Sequence, residues 1–171
     1  ITVTVNAVND APVATAGLTG TTEEDQSTVI TLSGSDIDGD NLSFTVGSAT
    51  NGTLELSGSL VTYTPNLDYN GDDSFEFTVS DGSESSTETV TLTVNSVNDT
   101  PILVNVSNVS FDEDTSEIIS FSASDVDGDQ LIFSITEGID ITAILSSNDV
   151  TFSAPSDFNG SESFTVSVSD D

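Results

Sequence analysis

The chain has 171 residues; 30 are Asp or Glu and none is Lys, Arg or His, which gives a formal charge of −30. Nothing basic is present to meet phosphate, which excludes nucleic acid and anionic membrane surfaces as partners. The absence of Cys excludes a disulfide scaffold and a thiolate zinc site.

Along the chain the signal is period two, the spacing of half-buried strands. Ile1, Val3 and Val5 alternate with Thr, and the joint Val8-Asn9-Asp10-Ala11-Pro12 follows. The acidic run Glu23-Glu24-Asp25 precedes the next strand, and Asp36-Ile37-Asp38-Gly39-Asp40 reads as a turn. Strands then follow at Leu42, Phe44 and Val46, at Leu54 and Leu56, and at Val61 and Tyr63. A second acidic turn, Asp68-Tyr69-Asn70-Gly71, leads into Phe75, Phe77 and Val79, which end at Asp81-Gly82. Val90, Leu92 and Val94 close the series. Asn51-Gly52, Ser57-Gly58 and Asn70-Gly71 punctuate it as turns. Tyr63 and the phenylalanines read as core, and no window has helical spacing.

The whole pattern then returns at a constant offset of 89 residues, Ile1 to Val90. Val97-Asn98-Asp99-Thr100-Pro101 repeats the joint, and Asp112-Glu113-Asp114 the first acidic run. Asp125-Val126-Asp127-Gly128-Asp129 and Asp157-Phe158-Asn159-Gly160 repeat the two acidic turns, and Asp170 repeats Asp81. The strand residues return as Ile119 and Phe121, then Leu131, Phe133 and Ile135, then Val150 and Phe152, then Phe164, Val166 and Val168. A period of this length marks tandem domains rather than solenoid turns. The expected division is residues 1–9 as the last strand of a preceding repeat, 10–98 as a complete repeat, and 99–171 as a second repeat without its last strand. The fold class is all-β: tandem immunoglobulin-like Greek-key β-sandwiches of about seven strands each. A sandwich without its last strand exposes an unpaired ladder. Ile1–Val5 of a neighbouring copy is one candidate to fill it by strand addition.

With no cation in the chain, each carboxylate must be solvated, accept backbone N–H bonds or hold a metal. Oxygen donors suit hard cations, and calcium accepts six to eight of them in flexible geometry. The Asp-x-Asp-Gly-Asp segments are not EF-hands, because Gly47 and Thr136 stand where the bidentate Glu would be. Solvated turns are the competing reading, and for Asp40 and Asp129 the two stand level.

The order of the acidic motifs resembles the cadherin repeat. Ser35-Asp36-Ile37-Asp38 and Ser124-Asp125-Val126-Asp127 look like its A-x-D-x-D segment, and Leu67-Asp68-Tyr69-Asn70 like its L-D-Y-E. Val79-Ser80-Asp81-Gly82 looks like its A-x-D-x-G, and Val97-Asn98-Asp99-Thr100-Pro101 like its linker. The nearest likeness is the bacterial cadherin-like tandem repeat of large secreted calcium-dependent adhesins, and it covers essentially the whole chain. It implies calcium at each domain junction. The complete junction would draw on Glu24, Asp68, Asn70, Asn98 and Asp99, with Asp125, Asp127 and Asp170. A second, incomplete one would draw on Asn9, Asp10, Asp36, Asp38 and Asp81, and Glu113, Asp157 and Asn159 would serve a following repeat. Ala7 and Ser96 stand where that family's linker has its first Asp, and Asn70 and Asn159 replace its Glu, which favours fewer ions per junction.

The resulting expectation is an extender in an extracellular adhesin or surface filament, secreted or displayed on a cell, stiffened by calcium between neighbouring repeats. The alternative is a calcium-dependent carbohydrate- or protein-binding module, for which zero Trp and two Tyr offer few stacking surfaces. Zero Cys and zero Met leave little to oxidise, which suits exposed life. No apolar run reaches the ~20 residues of a spanning helix, so no membrane insertion is expected. Catalysis is not expected either. Triads, Schiff bases and zinc sites need residues the chain lacks, and no insertion shapes a cleft for a carboxylate pair.

Overall fold

The computed structural model describes residues 1–170, and among them there is no helix. The chain divides into two units, residues 1–97 and 98–171.

In unit 1 the strands are β1 (Val13–Ala14), β2 (Thr19–Glu23), β3 (Thr28–Thr31), β4 (Gly34–Ser35), β5 (Ser43–Val46), β6 (Gly52–Ser57), β7 (Leu60–Pro65), β8 (Gly71–Ser80) and β9 (Ser85–Asn95). One sheet has the order β2-β9-β8-β5 and the other β3-β7-β6, with β1 and β4 as a small extra pair. All pairs are antiparallel except β2 with β9, which run parallel. Alternation places one side of each strand in the core. Phe75, Phe77 and Val79 of β8 and Val90, Leu92 and Val94 of β9 meet Ile30 of β3 and Val61 and Tyr63 of β7. Residues of both sheets thus share one apolar layer, the arrangement of a Greek-key sandwich. Tyr63 is fully buried, as its spacing predicts.

Unit 2 comprises β10 (Ile102–Leu103), β11 (Ser116–Ser120), β12 (Ala123–Ser124), β13 (Ile132–Ile135), β14 (Thr142–Ser146), β15 (Asp149–Ser153) and β16 (Val166–Ser169). Its registers copy those of unit 1 at the same offset: Phe44 opposes Val79 as Phe133 opposes Val168, and Ile30 opposes Val61 as Ile119 opposes Val150. The core is smaller, with Phe121, Val150 and Phe152 buried and Phe133, Phe164 and Val166 packed against them.

Two expected strands are altered. Ile1, Val3 and Val5 carry the alternating pattern but form no strand and are exposed. A strand needs a partner for its ladder, and none of the described residues pairs with them. Phe164 also lies outside a strand, because β16 begins at Val166, whereas β8 begins far earlier at Gly71. The first half of β8, Gly71–Glu76, pairs only with β9, and unit 2 has no counterpart of β9 among the described residues.

Candidate metal sites

One end of unit 1 is built from Asn9, Asp10, Asp36, Asp38 and Asp81. The Asp36 Oδ1 atom accepts the N–H groups of Asp38 (2.8 Å), Gly39 (3.0 Å) and Asp40 (3.3 Å). This closes a tight loop in which Gly39 takes a φ of 82°, a conformation suited to glycine. Asp10 N–H donates to Asp38 Oδ2 at 2.8 Å, and Asn9 Nδ2 donates to Asp81 Oδ2 at 3.0 Å. The Asp81 Oδ1 atom accepts from Ser83 N–H and Glu84 N–H. The Glu84 bond, the Asn9 amide and Ser83 hold the Asp81 carboxyl below its ordinary range. Five residues scattered from position 9 to position 81 are thereby brought together.

Unit 2 repeats the loop and linker bonds of this tip. Asp125 Oδ1 accepts from Asp127, Gly128 and Asp129 at 3.0, 3.1 and 3.3 Å. Asp99 N–H donates to Asp127 Oδ2 at 2.8 Å, and Asn98 Nδ2 to Asp170 Oδ2 at 3.0 Å. One oxygen from each of Asp125, Asp127 and Asp129 lies within 4.8 Å of the others. In both tips the second oxygen of the central aspartate, Asp36 Oδ2 or Asp125 Oδ2, is buried and has no hydrogen-bond partner. An anionic oxygen removed from water without a donor is costly. A cation would satisfy it, and the surrounding donors are all oxygens, as calcium prefers. The residues present therefore fit a hard divalent cation.

The opposite motifs form a second cluster in unit 1. Glu24 is buried; its N–H donates to Asn95 O, and its Oε1 accepts Val97 N–H. Its Oε2 is another buried oxygen without a partner. Asp68 N–H donates to Asp25 Oδ1 at 3.2 Å, and both residues have positive φ, 55° and 58°. Asn70 follows, exposed, just ahead of β8. In unit 2 the corresponding Glu113, Asp157 and Asn159 are exposed, and Asp157 N–H donates to Asp114 Oδ1 at 3.4 Å.

Sequence reasoning did not assign Asp25, Asp114 or Asp129, although the repeated motifs contain them. It overlooked Asp73 and Glu162 altogether. Asp73 accepts from Thr50 N–H, Asn51 N–H, Ser74 N–H and the Tyr63 hydroxyl. Glu162 clamps the matching loop through Ile139, Asp140 and Ile141 N–H. The signal that would have found them is that both positions are acidic at the constant offset.

Two sandwiches in series, each with an acidic tip of the same construction, define a tandem Ig-like repeat protein. The chain belongs to the bacterial Ig domain family, whose model matches residues 9–95 and again 98–171. No curated protein matches it in sequence. Among solved structures it is similar to the Drosophila N-cadherin EC1-4 fragment, at 16% identity and TM-score 0.65, covering 95% of this chain and 46% of that one. Human protocadherin-24 EC1-2 is similar at 16% identity and TM-score 0.54, with 95% and 94% covered. An endo-fucoidan hydrolase of glycoside hydrolase family 107 matches at 23% identity and TM-score 0.43, with 94% and 27% covered. The chain thus spans about a quarter of the hydrolase chain and under half of the N-cadherin one. The cadherin likeness is one of fold: all-β, cadherin-like sandwiches. No helix among the described residues is long and apolar enough to cross a membrane.

Proposed function

We propose that the chain is an extender segment of an extracellular adhesin or surface filament, in which calcium held by the acidic tips stiffens the joints between successive repeats. The observation that carries this reading is the doubled tip. Asp36 and Asp125 each spend one oxygen on three backbone N–H groups and keep the other buried and unpartnered. In a chain of charge −30 no side-chain cation exists to serve that oxygen.

The linker supports the reading. Val97, whose N–H Glu24 accepts, stands two residues before Asp99 in the sequence, so the carboxylates of one repeat's end and the next repeat's tip are tied to one short stretch. Extracellular calcium modules bind with Kd of about 10⁻⁴–10⁻³ M. Such sites fill outside a cell and stay empty within it. In unit 1 the two sheets enclose one packed apolar layer, which supports a structural role.

The test is a calcium titration followed by calorimetry, thermal melting and small-angle scattering, with magnesium as control. Millimolar calcium should raise the melting temperature and lengthen the particle, and Asp36→Asn with Asp125→Asn should abolish most of the rise. Unchanged melting and dimensions in calcium would refute the reading.

A further inference from the structure

We propose that strand β14 of unit 2 is an interaction edge, and that its partner is the same edge of a second copy of this chain. The sheet order is β11-β15-β14, so among the described residues β14 pairs with β15 alone. Unit 1 has the matching order β3-β7-β6, with β6 at the same edge. The place of this edge is therefore set by strands internal to each unit. An edge strand offers a row of N–H and C=O groups to any strand of suitable chemistry, and charged side chains are a common protection.

The two units differ at the middle of that edge. On the outward face of unit 1, Thr62 opposes both Val29 and Glu55, and the three form one cross-strand row. In unit 2 the row at the same offset is Ile118, Thr151 and Ile144. Ile118 and Ile144 are 61% and 59% exposed, whereas Ala143 and Leu145 of β14 pack against the core. The strand Thr142–Ser146 carries no charge, in a chain where 30 of 171 residues are acidic. The glutamate that protects β6 is thus missing from β14, and an isoleucine that gains from being covered stands in its place.

Charge selects the partner. A neutral strand of a strongly acidic chain meets least repulsion against itself. Antiparallel pairing about a two-fold axis at Ile144 sets Ile144 opposite Ile144 of the second copy, Ala143 opposite Leu145 and Thr142 opposite Ser146. Beyond the strand ends Asp140 falls opposite Asn148 and Asp149 opposite Ile139, so no carboxylate directly opposes another. The two three-stranded sheets then become one, and the two outward rows join into an apolar band across it. The same operation on β6 would set Glu55 directly against Glu55, a destabilising like-charge pair. The contact is isologous and closes as a dimer. It uses no residue of the acidic tips, so it stands apart from the calcium reading.

The test is sedimentation of the 171-residue chain from micromolar to millimolar concentration, at ~0.15 M salt to screen the repulsion between copies. A monomer–dimer equilibrium is expected. Ile144→Glu should abolish it, and because Ile144 faces solvent this variant keeps the fold. Glu55→Ile should open the second edge and carry the chain on to larger multimers. The chain has no Cys, so a single introduced thiol reports the contact. Ile144→Cys should cross-link into a dimer under mild oxidation, because directly opposed Cβ atoms lie about 4.5–5.5 Å apart. Ile118→Cys, on the same row but five strand spacings or about 24 Å from its mate, should not. Monomers of the parent at every concentration would leave the edge to some other strand and overturn the proposal. So would dimers that survive Ile144→Glu, or that cross-link no faster through Ile144→Cys than through Ile118→Cys.

Discussion

Residue 73 and its counterpart 162 hold the same loop with different side chains, and their neighbours differ in step. In unit 1 the Tyr63 ring crosses Gly52, where an added Cβ would lie 2.4 Å from the ring and 2.6 Å from Thr64 O. Its hydroxyl reaches Asp73 at 2.9 Å. In unit 2 the three positions are Ile141, Phe152 and Glu162: the ring loses its hydroxyl, the glycine gains a side chain, and the acid gains a methylene. Gly52→Ala should therefore destabilise unit 1 by about 2 kcal/mol through overpacking. Gly58→Ala, at a φ of 63° with open space around it, should cost about 1 kcal/mol from backbone strain alone. Urea midpoints at constant slope would separate the two.

Burial alone would raise the Asp73 carboxyl, but the Ser74 and Asn51 N–H groups, the Tyr63 hydroxyl and Thr50 outweigh it and hold it below 3.8. Glu162 is likewise held low by Ile139 and Ile141 N–H against burial. For Tyr63, burial and then the bond to Asp73 push the hydroxyl up, so it stays a donor. Depressed carboxyls take up protons later in the folded state than in the unfolded one. Their contribution is full above the ordinary carboxyl range and is lost as pH falls through the folded value. Below about pH 4 the Asp73 contribution to the melting temperature should be lost, so the gap between the parent and Asp73→Asn should narrow as pH falls. A chain whose acid limb is unchanged by Asp73→Asn would contradict this account.

Among the elements, those legible in the sequence have one apolar face. Phe75, Phe77 and Val79 alternate on β8 as all three go inward, and the same holds for Val90, Leu92 and Val94 on β9. Strand β2 escaped because Thr19–Glu23 has no apolar side chain to betray it. Its inward position is Gly20, where an added Cβ would meet Leu92 at 2.9 Å and Ile30 at 3.0 Å, so the neighbours' side chains fill the space. The pair β1 and β4 escaped for a related reason: a Cβ at Gly34 would come within 3.0 Å of Val13 O and of Val79. Pattern reading detects burial of an element's own side chains and misses a strand whose backbone is what packs. The tips were legible as motifs in order, because the constant offset repeats them. The inward turn of one oxygen of Asp36 and Asp125 was not, since it depends on three N–H groups converging in space on the other oxygen.

For the whole molecule, a charge of −30 with no opposing side chain opposes folding wherever carboxylates gather. Two remedies should be separable. Monovalent salt screens all carboxylates alike, so the melting temperature of calcium-free protein should climb smoothly with sodium chloride, in the parent and in Asp125→Asn alike. Calcium added at constant ionic strength should act further in the parent than in this variant, which keeps only the Asp36 tip, and an equal response in the two would assign the effect to bulk screening. The parallel pairing of β2 with β9 has a mechanical consequence. Tension between the start and the end of unit 1 draws these two strands in opposite directions along their own axes. The bonds from Thr19–Thr91 to Glu23–Asn95 are then loaded together in shear instead of being peeled apart one by one. Rupture under such a load follows the unfolding rate more than the equilibrium stability, so the pairing gives unit 1 a clamp against pulling that its modest core alone would not provide.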